Sequence, residues 1–140
     1  MTAEEMWLAS GLEGEYEAWS FGGDPDGLAA LVFSGKKTAT ASAFPCYEEE
    51  GEPLPEPGEY SVILDSRDEA VCIIKTTKVY ITPFNEVTEC HARMEGEGDL
   101  SLKYWREVHR DFFAGELAEI GRSFTEDMPV VCEEFERVYP

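Results

Sequence analysis

The residues with the clearest chemical potential lie in the hexapeptide Gly35–Thr40, which reads Gly-Lys-Lys-Thr-Ala-Thr. The chain carries 30 Asp and Glu residues against 11 Lys and Arg residues, so two adjacent lysines mark an unusual local field. A threonine hydroxyl becomes a nucleophile when a neighbouring base takes its proton, and a lysine removed from water can act as that base. The alternative interpretation is a solvated turn whose lysines offset the carbonyl groups at a helix end.

A helix and a strand are predicted on the two sides of this hexapeptide. Asp24-Pro25 supplies a cap and a proline at the first helical position, and the following apolar stripe stops near Ser34-Gly35. Thr38–Ser42 alternates hydroxyls with alanines, as in a strand with one polar face. In a regular strand Lys37 and Thr40 would face opposite ways, so we expect Lys37 to precede the strand or to sit at a bulge.

The remaining pattern predicts an α+β fold closed as a small mixed β-barrel, in which residues 1–140 form a single domain with a helical extension over residues 1–20. One long helix near the C-terminus is expected to bury Leu102, Trp105, Val108, Phe112, Phe113, Leu117 and Ile120. The other expected elements are short helices within Glu4–Ser20, an acidic loop over Glu48–Gly58, strands over Tyr60–Leu64 and Ala70–Ile81 joined by a turn at Asp65–Glu69, a short helix over Glu86–Arg93, a flexible Glu95–Asp99 loop, a helix from Leu100 to Ile120 capped by Asp99, and a strand over Val130–Tyr139.

Composition and charge exclude several classes of protein. Hydrophobic residues make up 43% of the chain, enough for a core despite the net charge of −19. No stretch approaches the roughly 20 apolar residues of a membrane span, and the acidic N-terminus is unlike a secretory signal, so we expect a cytoplasmic protein. Duplex binding needs many cations to neutralise phosphates, which excludes duplex DNA and favours a compact ligand or a short single strand.

Four cysteines without a C-x-x-C pair predict buried free thiols rather than a metal site. They are Cys46, Cys72, Cys90 and Cys132.

The chain resembles the ASCH domains, the activating-signal-cointegrator homology branch of the PUA-like fold. The hexapeptide matches their Gly-x-Lys-x-x-Thr signature, and four further blocks resemble an uncharacterised bacterial ASCH subfamily. These blocks are Glu56-x-Gly58-Glu59-Tyr60, Pro83–Thr88, the segment from Glu95 to Trp105, and Glu126–Val131. The resemblance runs from about residue 20 to the end.

The resemblance implies a cleft for RNA or a modified nucleoside, and two kinds of hydrolysis. One is amidohydrolysis of N4-acetylcytidine, and the other is ribonuclease activity. In the small amidohydrolases a lysine and a threonine of the signature act with a downstream glutamate, which correspond to Lys37, Thr40 and Glu95. Glu95 would then orient the lysine or carry a proton to the departing amine.

The amidohydrolase needs no cofactor, whereas the ribonuclease would need Mg²⁺ or Mn²⁺. Glu95, Glu97 and Asp99 offer the oxygen ligands that such cations prefer. The alternative for these three residues is a flexible acidic loop with a helix cap, which we favour. No metal ligand is therefore assigned from the sequence.

Further contacts to a nucleoside or RNA are expected from side chains near the signature and at the start of the long helix. Tyr47 and Phe44 could stack on a base or pack in the core, and His91 and His109, which lack metal spacing, are interpreted as structural. The expected ligand-binding residues are Lys36, Thr38, Ser42, Tyr47, Ser101, Tyr104 and Arg106.

Three functional hypotheses follow: an amidohydrolase, a metal-dependent ribonuclease and a non-catalytic module that binds a nucleoside or short single-stranded RNA. The net charge makes the ribonuclease harder to accept without a metal bridge. A monomer and a homodimer are both compatible with the sequence, and no membrane contact is expected.

Overall fold

The chain folds into a mixed set of helices and strands, and the computed structural model describes residues 1–140. The helices are α1 (Ala3–Ser10), α2 (Pro25–Ser34), α3 (Phe44–Glu50), a 3₁₀ turn at Phe84–Glu86, α4 (Glu89–Glu95) and α5 (Leu102–Glu119). The strands are β1 (Tyr16–Trp19), β2 (Ala39–Ala43), β3 (Tyr60–Leu64), β4 (Ala70–Pro83) and β5 (Pro129–Tyr139).

The five strands form one sheet in the order β1-β3-β4-β5-β2. Strand β1 runs parallel to β3, with Tyr16 opposite Tyr60, and β3 runs antiparallel to β4 with Val62 opposite Ile73. The α+β class is confirmed. The expected barrel is an open sheet, because β1 and β2 stand at its two edges.

The chain divides into two compact units, and each unit has its own buried core. The first comprises Met1–Thr38, Glu56–Lys78 and Glu134–Pro140, and the second comprises Ala39–Pro55 and Val79–Glu133. Buried apolar residues of the first unit are Met6, Trp7, Phe21, Ala29, Val32, Val62, Ile63, Cys72, Ile73, Ile74 and Phe135. Those of the second are Ala43, Phe84, Val87, Ala92, Trp105, Phe113, Leu117, Met128, Val130 and Cys132.

The hexapeptide joins a helix to a strand, as predicted. The Asp24 side chain accepts a hydrogen bond from the Gly27 backbone at the start of α2, and Gly35 ends the helix with a left-handed φ of 84°. Strand β2 begins only at Ala39. Lys37 therefore precedes the strand, which resolves the conflict of facing between Lys37 and Thr40.

Of the one or two short helices predicted within Glu4–Ser20 the structure has one, and the second half of the expected helical extension is not helical. Helix α1 ends at Ser10, where Gly11 adopts a left-handed φ of 74°. Residues Tyr16–Trp19 instead form strand β1. This strand exists because its backbone pairs with β3, about 40 residues further along the chain, and local periodicity carries no signal of that pairing.

The acidic loop is shorter than predicted. Glu48 lies in the last turn of helix α3 and not in a loop. The helix can form here because Pro45 occupies its first turn, where the missing N–H of proline is tolerated. Gly51 then ends the helix with a left-handed φ of 66°. The prolines that follow remain outside regular structure, as expected.

Two expectations for the long helix are corrected. Ser101, and not Asp99, caps α5, because its hydroxyl accepts a hydrogen bond from the Tyr104 backbone. Leu100 has a φ of 69°, which keeps it out of the helix. Val108 and Phe112, expected to be buried, are 38% and 40% exposed, since a repeat of about 3.6 residues per turn places them away from the face that buries Phe113 and Leu117.

A pair of glycines near α5 gives a matched test of this geometry. Gly98 has a φ of 59°, and a Cβ there would lie 2.5 Å from the Tyr104 ring, so Gly98→Ala should destabilise the protein by about 1–2 kcal/mol. Gly115 lies within α5 with no atom near its missing Cβ, so Gly115→Ala should stabilise by about 0.8–1 kcal/mol. Urea denaturation of both variants checks the two signs, and equal effects would contradict the assigned backbone.

The four cysteines are free, but they are not all buried. Cys72 and Cys132 are buried as expected, and Cys46 is half-buried. Cys90 is exposed, because it lies on the outer face of the short helix α4. None of the helices combines the length and apolar character needed to cross a membrane.

Candidate functional site

Lys37 is the one buried lysine of the chain, with its side chain 2% exposed. The neighbouring Lys36 is exposed. Backbone N–H groups of both lysines donate to the Leu31 carbonyl, at 3.0 Å from Lys36 and 3.1 Å from Lys37. Because the backbone already satisfies this helix end, the solvated-turn interpretation does not account for the burial of the Lys37 side chain.

An aromatic ring lies near the end of the Lys37 side chain, and both residues belong to the first unit. Its Nζ atom is 5.3 Å from the centroid of the Phe21 ring, within the range of a cation–π interaction. The next residue is fixed by its backbone, since the Thr38 carbonyl accepts a hydrogen bond of 3.0 Å from the Phe135 N–H. Lys37 thus sits on a backbone held by hydrogen bonds on both sides.

Thr40 lies in strand β2 and is half-buried. Further along the same strand, the Ser42 hydroxyl is 2.8 Å from the phenol oxygen of Tyr47, which lies in α3. Burial raises the pKa of Tyr47, although the hydrogen bond between Tyr47 and Ser42 opposes this rise. The structure therefore brings together two of the expected ligand-binding residues, and Tyr47 is a neutral phenol near pH 7.

Glu95 ends helix α4 and is 1% exposed, an unusual position for a carboxylate. Its Oε2 atom accepts a 2.5 Å hydrogen bond from the indole Nε1 of Trp105 and lies 2.7 Å from Nε2 of His91. Its Oε1 atom lies 3.4 Å from Nε2 of His109. These partners in the second unit hold the carboxylate in a fixed orientation.

His109 stacks on Trp105, with ring centroids 4.2 Å apart and an interplanar angle of 15°. Its Nδ1 atom lies 2.8 Å from the Trp105 carbonyl. Burial opposes the charged form of the ring, but the hydrogen bond to Glu95 and the charges of Glu95 and Glu97 outweigh it, so the pKa of His109 is raised above 6.5.

This pairing should make stability depend on pH. A histidine whose pKa is raised on folding contributes stability that is fully present below its unfolded pKa and is lost as the pH rises through its folded pKa. The free energy of unfolding of the wild type should therefore exceed that of His109→Gln by more at about pH 6 than at about pH 9. Chemical denaturation across this range checks it, and a difference independent of pH would contradict the ion pair.

The expected ligand-binding residues of α5 have local partners. Ser101 caps the helix, and Tyr104 is 36% exposed with its ring over Gly98. Arg106 donates from Nη2 to the Asn85 carbonyl at 2.9 Å, while its Nε atom is buried without a hydrogen-bond partner. Any role of these three residues in binding a ligand stays a prediction.

The acidic segment Glu95–Asp99 has two parts with different surroundings. The ligand atoms of Glu95, Glu97 and His109 all lie within 4.8 Å of one another. The Asp99 carboxylate is instead exposed and accepts a hydrogen bond from the Ser101 N–H. Hydrogen bonds from the Ser101 side chain and backbone lower the pKa of Asp99. The cluster consists of two carboxylates and one imidazole, and we assign no metal ligand here.

The residues around Glu95 were not recognised from the sequence. The sequence predicts structural histidines and a core position for Trp105, and Trp105 is buried as predicted, but nothing local predicts that His91, His109 and Trp105 all contact the Glu95 carboxylate. Two sequence spacings indicate which of these side chains share a helix face. His91 and Glu95 are four residues apart on α4, and Trp105 and His109 are four apart on α5, so each pair shares one helix face.

A family model described as ASCH domain matches residues 17–139. The chain belongs to the ASCH domain family. A crystal structure of an ASCH domain from Lactobacillus crispatus JV V101 is similar, with a TM-score of 0.93 and 33% identity over 98% of this chain and 94% of that one. The match therefore extends over α1 and β1, which precede the signature.

Two further solved structures show how far the similarity extends. A protein from Enterococcus faecalis V583 has a TM-score of 0.86 and 39% identity over 97% of this chain and 87% of its own. An ASCH protein from Zymomonas mobilis has a TM-score of 0.57 and 17% identity over 86% of this chain and 69% of its own, which shows the shared fold alone. No curated protein sequence matches the chain significantly.

Proposed function

We propose that this ASCH domain binds a nucleoside or a short single-stranded RNA and hydrolyses an amide of the N4-acetylcytidine type. The burial of Lys37 within the Gly-x-Lys-x-x-Thr signature is the observation that carries the proposal. Lysine side chains are almost never fully buried unless they are paired. Burial is the condition under which a lysine can serve as a general base. Its exposed neighbour Lys36 supplies the contrast, because it occupies a variable position of the same signature.

Thr40 is the proposed nucleophile and Lys37 its base. The Thr40 hydroxyl attacks the acetyl carbonyl carbon and passes its proton to Lys37. The bond between the acetyl carbon and N4 of the base then breaks, and the departing nitrogen takes a proton from the Glu95 side. Water next attacks the acetyl-threonine ester and returns one proton to the Glu95 side, Thr40 recovers its proton from Lys37, and acetic acid leaves.

Glu95 is proposed to carry the proton to the leaving nitrogen. Cytosine N4 is a poor leaving group unless it is protonated as the bond breaks, so an acid must be placed beside it. Glu95 is buried and hydrogen-bonded to three side chains, which fixes its direction without a metal ion. Fixed polar groups stabilise developing charge without reorganising during the reaction.

The charge of the chain supports a small substrate over a long nucleic acid. The net charge of −19 repels a polyphosphate backbone, whereas a nucleoside carries no phosphate. The phenol of Tyr47, neutral near pH 7, and the Ser42 hydroxyl beside it offer hydrogen-bonding groups for a base edge or ribose. A short single strand remains within the proposal, and duplex DNA does not.

Two assays on the purified protein test the proposal. Calorimetric titration with cytidine, N4-acetylcytidine, a short single-stranded RNA and a duplex DNA should give binding to some of the first three and none to the duplex. Chromatography should show cytidine appearing from N4-acetylcytidine in the presence of chelator. Cleavage of the RNA that stops in chelator would identify a metal-dependent ribonuclease instead, and binding without any product would leave a recognition module.

A further inference from the structure

The hydrogen bonds of the two imidazoles around Glu95 determine where their protons lie. The chain contains two histidines, and both approach the Glu95 carboxylate through Nε2, His91 at 2.7 Å and His109 at 3.4 Å. Their Nδ1 atoms differ. That of His109 lies 2.8 Å from a backbone carbonyl, whereas that of His91 is buried with no hydrogen-bond partner.

This difference separates the charge states of the two rings. A carbonyl oxygen can only accept, so His109 Nδ1 carries a proton. Its Nε2 atom faces an ionised carboxylate and must also carry one, because two lone pairs at this distance would repel. His91 needs only the Nε2 proton, since a second proton on Nδ1 would place an unpaired donor and a charge in a dry interior.

We propose that Glu95 and His109 share one proton, held on His109 while Glu95 is ionised, and that His91 and Trp105 bind Oε2 so that the proton exchanges through Oε1. The charged groups that face the His109 ring are Glu95 from α4 and Glu97 from the segment after it, and its own helix contributes the Trp105 carbonyl. Both acids favour the protonated ring, in accord with the raised pKa of His109.

The pair is a proton store for hydrolysis, a role that rests on the proposed function. Nε2 of His109 gives its proton to Glu95, and the resulting carboxylic acid gives it to the departing amine nitrogen. The water that attacks the acetyl-threonine ester then gives one proton back to the pair and acetic acid leaves, so the cycle closes without a net change in the protein. His109 acts through Glu95 and is a positioning residue.

Nitrogen-15 NMR of histidine-labelled protein tests the proton positions without any substrate. The two imidazoles give two sets of signals. Either His91→Gln or His109→Gln removes one set and so assigns both, which means that one of the two variants has to fold. Near neutral pH, His109 should show two protonated nitrogens and His91 one, on Nε2. A His109 ring with a bare Nε2 atom would overturn the proposal, as would displacement of that proton by added Mn²⁺ or Zn²⁺.

Glu95→Gln is the matched variant, because it keeps the volume and removes the charge. The titration midpoint of His109 should fall, with proton dissociation increased by about tenfold or more. An unchanged midpoint would overturn the pairing. If the wild type also hydrolyses N4-acetylcytidine, His109→Gln should change the pH profile of kcat and leave KM unchanged. Absence of turnover would count against the proposed function alone, because the NMR result decides the proton pair.

Discussion

Lys37→Ala is expected to reduce kcat/KM for N4-acetylcytidine by about 10²–10⁴-fold, the contribution of a well-placed general base. The physical reason is that a threonine hydroxyl attacks an amide poorly unless its proton is taken up as the bond forms. Lys36→Ala should change kcat much less, because Lys36 is exposed while Lys37 is 2% exposed, and the expected role of Lys36 in ligand binding would appear in KM. Steady-state kinetics on the two variants give the comparison.

This pair of variants separates chemistry from electrostatics. Each removes one lysine from adjacent positions, so an effect common to any lysine in this acidic surrounding would appear equally in both. Equal losses would contradict the role of Lys37 as the base. Circular dichroism of Lys37→Ala must match that of the wild type, since removing a buried side chain also leaves a cavity.

Glu95→Ala should destabilise the protein by about 3–5 kcal/mol, the usual cost of removing one partner from a buried ion pair. The indole N–H of Trp105 and the Nε2–H of His91 would lose their acceptor, and the charge of His109 would lose its counterion. The free energy of unfolding from guanidinium titration measures this loss.

Glu107→Ala is the control for that measurement, because Glu107 is exposed on α5 and should change stability by no more than about 0.5 kcal/mol. The contrast between the two glutamates depends on burial. If Glu95→Ala cost less than about 1 kcal/mol, the carboxylate would be solvated, and its proposed control of His109 would fail with it.

Local signals predicted the elements beside the signature. The cap at Asp24, the proline at the start of α2 and the left-handed Gly35 are chemical features of the chain itself, so α2 and the start of β2 could be placed from sequence. Strand β1 could not, because it is stabilised by parallel pairing with β3. Helix α3 was missed because its proline is compatible with a first turn.

The candidate site shows the same division. The signature identified Lys37 as a candidate, and the structure shows that the side chain is buried. The surroundings of Glu95 could not be predicted, because His91 and His109 lie 18 positions apart and reach one carboxylate only when α4 packs on α5. Each i,i+4 pair could be identified from the sequence, but the contact between the pair on α4 and the pair on α5 could not.

The most direct test of the central claim is proton NMR of N4-acetylcytidine incubated with the purified protein in chelator. The account predicts that the amide acetyl signal is replaced by that of free acetate with the wild type and with Lys36→Ala, and that it persists with Lys37→Ala. An acetyl signal that persists with folded wild-type protein would contradict amide hydrolysis, and acetate release by Lys37→Ala at the wild-type rate would contradict the assignment of Lys37 as the base.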